Sequence, residues 1–204
     1  MMTDTLLAAE TPSHWRRYRA LYLLLVVCVA PVIASYTAYY FLRPEGRTNY
    51  GTLMQPQRPL PALSLRRLDG STMAASTLRG AWTLVQVDGG ACDAQCEKKL
   101  WQMRQVRLTT GRDVDRVQRL WLIVDDTPLA TVLMREFDGT LFLRARADEV
   151  ARFLPLPGRP GAQLADHIWL IDPLGNLMLR WPKDADPNRM KKDLAKLLKA
   201  SRIG

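Results

Sequence analysis

The chain has 204 residues, 48% hydrophobic and 24% charged, with a formal net charge of +9. That length holds one membrane anchor and one domain of ordinary size, and the composition excludes a mainly disordered chain. The basic residues are scattered, with no recognition motif or interleaved aromatic stripe, which argues against nucleic acid and leaves anionic partners or lipid head groups in general.

Residues 20–42, ALYLLLVVCVAPVIASYTAYYFL, carry no charged side chain. As a helix they reach about 35 Å, enough to cross a hydrocarbon core of about 30 Å. Pro31 sits mid-span, where membrane helices tolerate it. Trp15, Tyr18 and Tyr22 at one end and Tyr36, Tyr39 and Tyr40 at the other match interfacial aromatic belts. Arg16, Arg17 and Arg19 cluster in a short tail, residues 1–19, which places the N-terminus in the cytoplasm and the bulk of the chain in an oxidising, periplasm-like space. Cys28 within the span reads as a small hydrophobe. Residues 43–59, rich in Gly, Pro and polar side chains, read as a tether to a domain over 60–204.

Within that domain, residues 62–80 alternate briefly and turn at Asp69-Gly70, the pattern of a short hairpin. AWTLVQV, 81–87, is an apolar, β-rich run and a central strand. A helix follows from Cys96 to Leu108. RLWLIVD, 119–125, is a second buried strand; a helix over 129–137, a strand over 140–145 and a short helix around 147–154 come next. HIWLID, PLG and NLMLRW make the clearest hairpin, turning at Asp172-Pro173-Leu174-Gly175. Asp186 caps a last helix that begins with Pro187, with Met190, Leu194, Leu197 and Leu198 on one face. This order is α/β, and a thioredoxin-like sandwich behind one transmembrane helix is the economical solution.

Chemistry concentrates in GGACDAQCEKKL, residues 89–100. Cys92 and Cys96 stand four apart on a first helical turn, with α-carbons expected at roughly 6 Å, within disulfide reach. A helix N-terminus favours the thiolate, which is both nucleophile and soft-metal ligand; Asp93 and Glu97 oppose this, while Lys98 and Lys99 assist it. A redox couple, a metal site and a plain disulfide all remain open on the pair alone. The histidines are His14 and His167. His167 immediately precedes a strand, in LADHIW, where a thioredoxin-like fold normally carries a cis-proline that docks substrate. Two thiolates and an imidazole suit copper as Cu(I) and Cu(II), with Asp166 as an orienting neighbour of the imidazole. Asp125-Asp126 read as a solvated strand end, and Lys191, Lys192, Lys196 and Lys199 as the wet face of the last helix.

Taken together, LPALSLRRLDGSTMAASTLRGAWTLVQV at 60–87, the C-x3-C at Cys92 and Cys96, DRVQRLWLIVDDTP at 115–128 and DHIWLIDPLGN at 166–176 resemble the Sco/SenC family. Its members are thioredoxin-like, membrane-anchored proteins that help load copper into cytochrome c oxidase subunit II. The resemblance implies Cys92, Cys96 and His167 as copper ligands and subunit II or other oxidase assembly factors as partners, at a bacterial inner membrane. It departs from the family at Asp93 and Glu97, which stand where prolines usually follow the cysteines. Two alternatives use the same residues differently: a thiol–disulfide reductase with Cys92 and Cys96 as its catalytic pair, and a scaffold that needs neither cysteine.

Overall fold

An eight-stranded mixed sheet forms the centre of the C-terminal unit, in the order β1-β8-β7-β4-β5-β6-β2-β3. The computed structural model describes residues 14–41, 49–201 and 203. It divides into two units, residues 1–47 and 48–204. The first holds α1 (His14–Phe41), whose segment Tyr18–Tyr40 has a mean hydropathy of 2.2 and is long and apolar enough to span a membrane. Its tyrosines meet at one end, Tyr39 edge-on to Tyr40 at 5.1 Å. Cys28 is free and exposed on this helix. Of the predicted tail, 1–13 lie outside the described residues.

The second unit begins earlier than the sequence reading has it. Residues 52–59, assigned there to a tether, form β1 (Thr52–Pro59), paired antiparallel with β8 (Asn176–Arg180) at the sheet edge; residues 43–48 of that tether lie outside the described ones. Its prolines hide it, because proline is tolerated only where a strand needs few ladder donors, as an edge strand does. Asp193 fixes its start: the buried carboxylate accepts from the Tyr50 and Gly51 amides at 3.0 and 2.8 Å and from the Trp181 indole at 3.1 Å.

The hairpin β2 (Ser64–Arg67) and β3 (Thr72–Ala74) turns at Asp69-Gly70, with Gly70 at φ +86° as such a turn requires. β4 (Trp82–Asp88) pairs parallel with β5 (Val117–Ile123) and antiparallel with β7 (Ile168–Ile171); β6 (Thr140–Arg144) runs parallel to β5. Lying between two strands, β4 is apolar on both faces, as a covered central strand must be. Its Trp82 and Leu84 join a core with α2 (Ala94–Leu108), α3 (Thr131–Glu136) and α5 (Pro187–Ala200). Its Val85 and Val87 join a second core with α4 (Ala147–Phe153) and the β2–β3 hairpin. α5 starts as the sequence predicts, with the Asp186 carboxylate accepting from the Asn188 amide at 2.9 Å, and it buries Met190, Leu194 and Leu198.

Candidate functional site: the dithiol at the start of the second helix

The loop from β4 to α2 passes the C-terminal ends of the parallel strands β4 and β5 through two glycines. A β-carbon at Gly89 would collide with the Asp125 carboxylate and one at Gly90 with the Thr127 backbone, so only glycine lets this loop lie so close to the chain after β5. Asp125 does more than end a strand. Its Oδ1 accepts from the Gly90 amide at 2.8 Å and the Thr127 amide at 3.1 Å, tying the two loops together. The helix then begins one residue after Asp93, whose carboxylate caps it by accepting from the Cys96 amide at 2.9 Å. Asp93 therefore organises the turn between the cysteines through a hydrogen bond, a different device from a proline's fixed φ.

Cys92 and Cys96 are joined as a disulfide, with α-carbons 5.2 Å apart. The two sulfurs are not equivalent: Cys92 is half-buried and Cys96 fully buried. The buried one has a partner that sequence reasoning missed. Gln86, in the middle of β4, directs its side-chain amide onto the Cys96 sulfur at 3.0 Å and the Cys96 carbonyl at 3.2 Å. The signal was a lone polar residue in the apolar run AWTLVQV. The lysines expected to assist the thiols are engaged elsewhere. Lys98 pairs with Asp184 at 2.9 Å; Lys99, nearly buried, pairs with Asp88 at 2.8 Å and donates to the Ala165 carbonyl. Lys99 thereby pins the short 3₁₀ turn Leu164–Asp166 against α2.

His167 follows that turn but does not join the cysteines. The β4–β7 register pairs Gln86 with Ile168 and Val85 with Trp169. Gln86 and Ile168 face the core that contains Cys96; Val85 and Trp169 face the other. The His167 ring packs edge-on to Trp169 at 5.8 Å, so it lies on the side of the sheet away from the disulfide. Its Nδ1–H donates to the Trp181 carbonyl at 2.8 Å, and its buried Nε2 has no hydrogen-bond partner among the described residues. Burial pushes this imidazole below its ordinary pKa, helped by the nearby Arg180 guanidinium and opposed by the Trp181 hydrogen bond. Asp166 does not orient it: that carboxylate accepts from Lys183 at 2.8 Å and the Gln163 amide at 3.2 Å, and the lysine holds it below the usual carboxylate range. No three His, Cys, Asp or Glu side chains among the described residues are grouped to hold a metal ion.

Residues 82–201 match the family described as the transmembrane-like, thioredoxin-like, C-terminal domain. The chain belongs to this family. Solved structures share its thioredoxin-like fold. The apo Sco1 protein of Thermus thermophilus is 20% identical at a TM-score of 0.58, covering 76% of this chain and 99% of its own. Bradyrhizobium japonicum ScoI with copper bound is 23% identical at 0.51, covering 69% and 99%. A thiol:disulfide interchange protein from Bacteroides sp. is 16% identical at 0.51, covering 72% and 91%. No curated protein sequence matches the chain. A thioredoxin-like domain with an N-terminal apolar helix fits a membrane-anchored protein, and its cysteine pair spans the start of α2, with Cys92 in the loop after β4 and Cys96 in the first turn of the helix.

Proposed function

We propose that this chain is a membrane-anchored assembly factor that prepares the copper centre of a cytochrome c oxidase, acting on subunit II through its Cys92–Cys96 couple. The N-terminal tail is cytoplasmic in this reading, and the thioredoxin-like domain lies in the periplasm of a bacterial inner membrane. One observation carries it: a partly buried cysteine and a fully buried one are joined at a helix start.

In the reduced chain, the Cys92 thiolate attacks a sulfur of the recipient's disulfide, and one recipient thiolate leaves. The Cys96 thiolate then attacks the Cys92 sulfur, releasing the second recipient thiolate and leaving the bridge seen here. Two electrons pass to the recipient, whose thiols take up two protons from solvent or from the pair.

A second reading is favoured by the chemistry of the pair once open: two adjacent thiolates select Cu(I) and fit a copper cargo as two ligands. His167, on the other side of the sheet, does not complete that set, so the remaining donors come from the recipient.

Full-length protein in detergent, reduced and then mixed with a recipient peptide carrying an oxidised cysteine pair, tests the first reading. Stoichiometric reduction of the peptide is expected, with a trapped mixed disulfide in Cys96→Ser and none in Cys92→Ser. Failure to reduce the peptide, together with one-to-one Cu(I) retention against a competing chelator, would favour the second reading. Full oxidase assembly in cells carrying Cys92→Ser with Cys96→Ser would overturn both.

A further inference from the structure

Gln86 is the feature that the thiol chemistry leaves unused. It is fully buried in the central strand, flanked by Val85 and Val87, at a position where a packed core has no need of an amide. The orientation of its head group is fixed by chemistry. The Cys96 carbonyl at 3.2 Å can only accept, so the NH2 end must face it, and the second N–H points to the sulfur at 3.0 Å. The amide oxygen has no partner among the described residues, a penalty the fold bears to keep the donor where it is.

We propose that Gln86 is a positioning residue of the Cys92–Cys96 couple: its amide holds the Cys96 sulfur as a thiolate when the disulfide opens, and so favours the reduced pair. This rests on the couple being redox-active, as set out above. A disulfide sulfur is a weak acceptor, whereas a thiolate is a full anion to which the same N–H makes a charge-assisted bond. The bond therefore strengthens on reduction. The need for it is local. Cys96 is wholly buried, and a thiolate there without a donor would be strongly unfavourable. Its own backbone amide is committed to Asp93, and both Lys98 and Lys99 are paired with carboxylates. The Asp93 and Glu97 carboxylates add negative charge to the same turn. Gln86 supplies the neutral donor that this acidic turn lacks.

The test uses full-length protein in detergent equilibrated with glutathione at about pH 9, above the ordinary thiol pKa. Gln86→Met keeps the bulk without the donor; Gln86→Glu keeps the shape and replaces the donor with an acceptor. Both are expected to lower the equilibrium constant for reduction by about tenfold, or about 30 mV for a two-electron couple. The gap from wild type should narrow as pH falls and the thiol form takes over. A purely structural role would lower thermal stability and leave this pH-dependent gap at zero. Should the variants fold poorly, the side-chain amide resonance of Gln86 in wild type serves instead: it should move between oxidised and reduced protein and titrate with the Cys96 thiol. A wild-type equilibrium constant in both variants, or an amide resonance indifferent to reduction, overturns the proposal. Recipient and copper are absent from these measurements, so failure of the assembly reading would not be mistaken for failure here.

Discussion

His167 shows how far one side chain can be understood from its surroundings. It is buried, its Nδ1–H is given to the Trp181 carbonyl, and it sits against Trp169. Burial is the largest influence on it and disfavours the charged ring, so the folded pKa lies below the ordinary value of about 6.5. The unfolded chain therefore takes up the proton first as pH falls, and stability must fall with it. The contribution is complete above about pH 6.5 and is lost as pH drops from there through the lower folded value. Urea midpoints measured from about pH 7.5 to 5 should decline more steeply for wild type than for His167→Leu. Equal slopes would mean that the ring is not held neutral by the fold. On the copper-cargo reading, Cu(I) retention by the reduced pair should be the same in both proteins, since the imidazole faces the other core.

Among the elements, β1 depends most on side chains far away in sequence. Three donors converge on the Asp193 carboxylate from residues 50, 51 and 181. Asp193→Ala strands two of them in a buried place and the Tyr50 amide in a partly buried one, and a loss of about 3 kcal/mol is expected, since each buried unsatisfied group costs about 1–3 kcal/mol. For a domain of this size that is a fall in Tm of roughly 6 °C or more. Asp193→Asn, which keeps one acceptor oxygen, should lose less. If calorimetry finds the alanine variant within a degree of wild type, these bonds do not fix the strand. This dependence explains why β1 was illegible in the sequence: Pro56 and Pro59 break any alternation, and its pairing with β8 is set by a helix that begins well over a hundred residues later. β4, α2, the β7–β8 hairpin and α5 were legible because each carries its own period, turn or cap. The cysteine pair was legible for the same reason. The facing of His167 was not. His-Ile-Trp-Leu is apolar on both sides of a strand covered on both faces, so alternation gives no direction and only the pairing with Gln86 and Val85 does.

For the whole molecule, the question is whether the fold survives opening of the bond on which the proposed chemistry depends. The disulfide joins residues only four apart. On a loop-entropy account, closing a ring of about five residues stabilises by only about 2 kcal/mol. Most of the packing on the two faces of the sheet involves other side chains: Cys96 is one member of a core that also holds Trp121, Leu100 and Met190, and Trp169, Phe153 and Leu65 fill the core on the other face. Local bonds also keep the cysteine loop in place, with Gly90 held by Asp125 and Cys96 by Asp93 and Gln86. Reduction should thus lower Tm by about 4–8 °C while leaving a single cooperative transition. Calorimetry of the oxidised and reduced full-length protein, with Cys92→Ser as the permanently open form, measures this directly. A broad or missing transition after reduction would assign the bridge a structural role. A small, cooperative shift would show a scaffold built to be opened and closed, as a protein that exchanges electrons or soft metal through one dithiol must be.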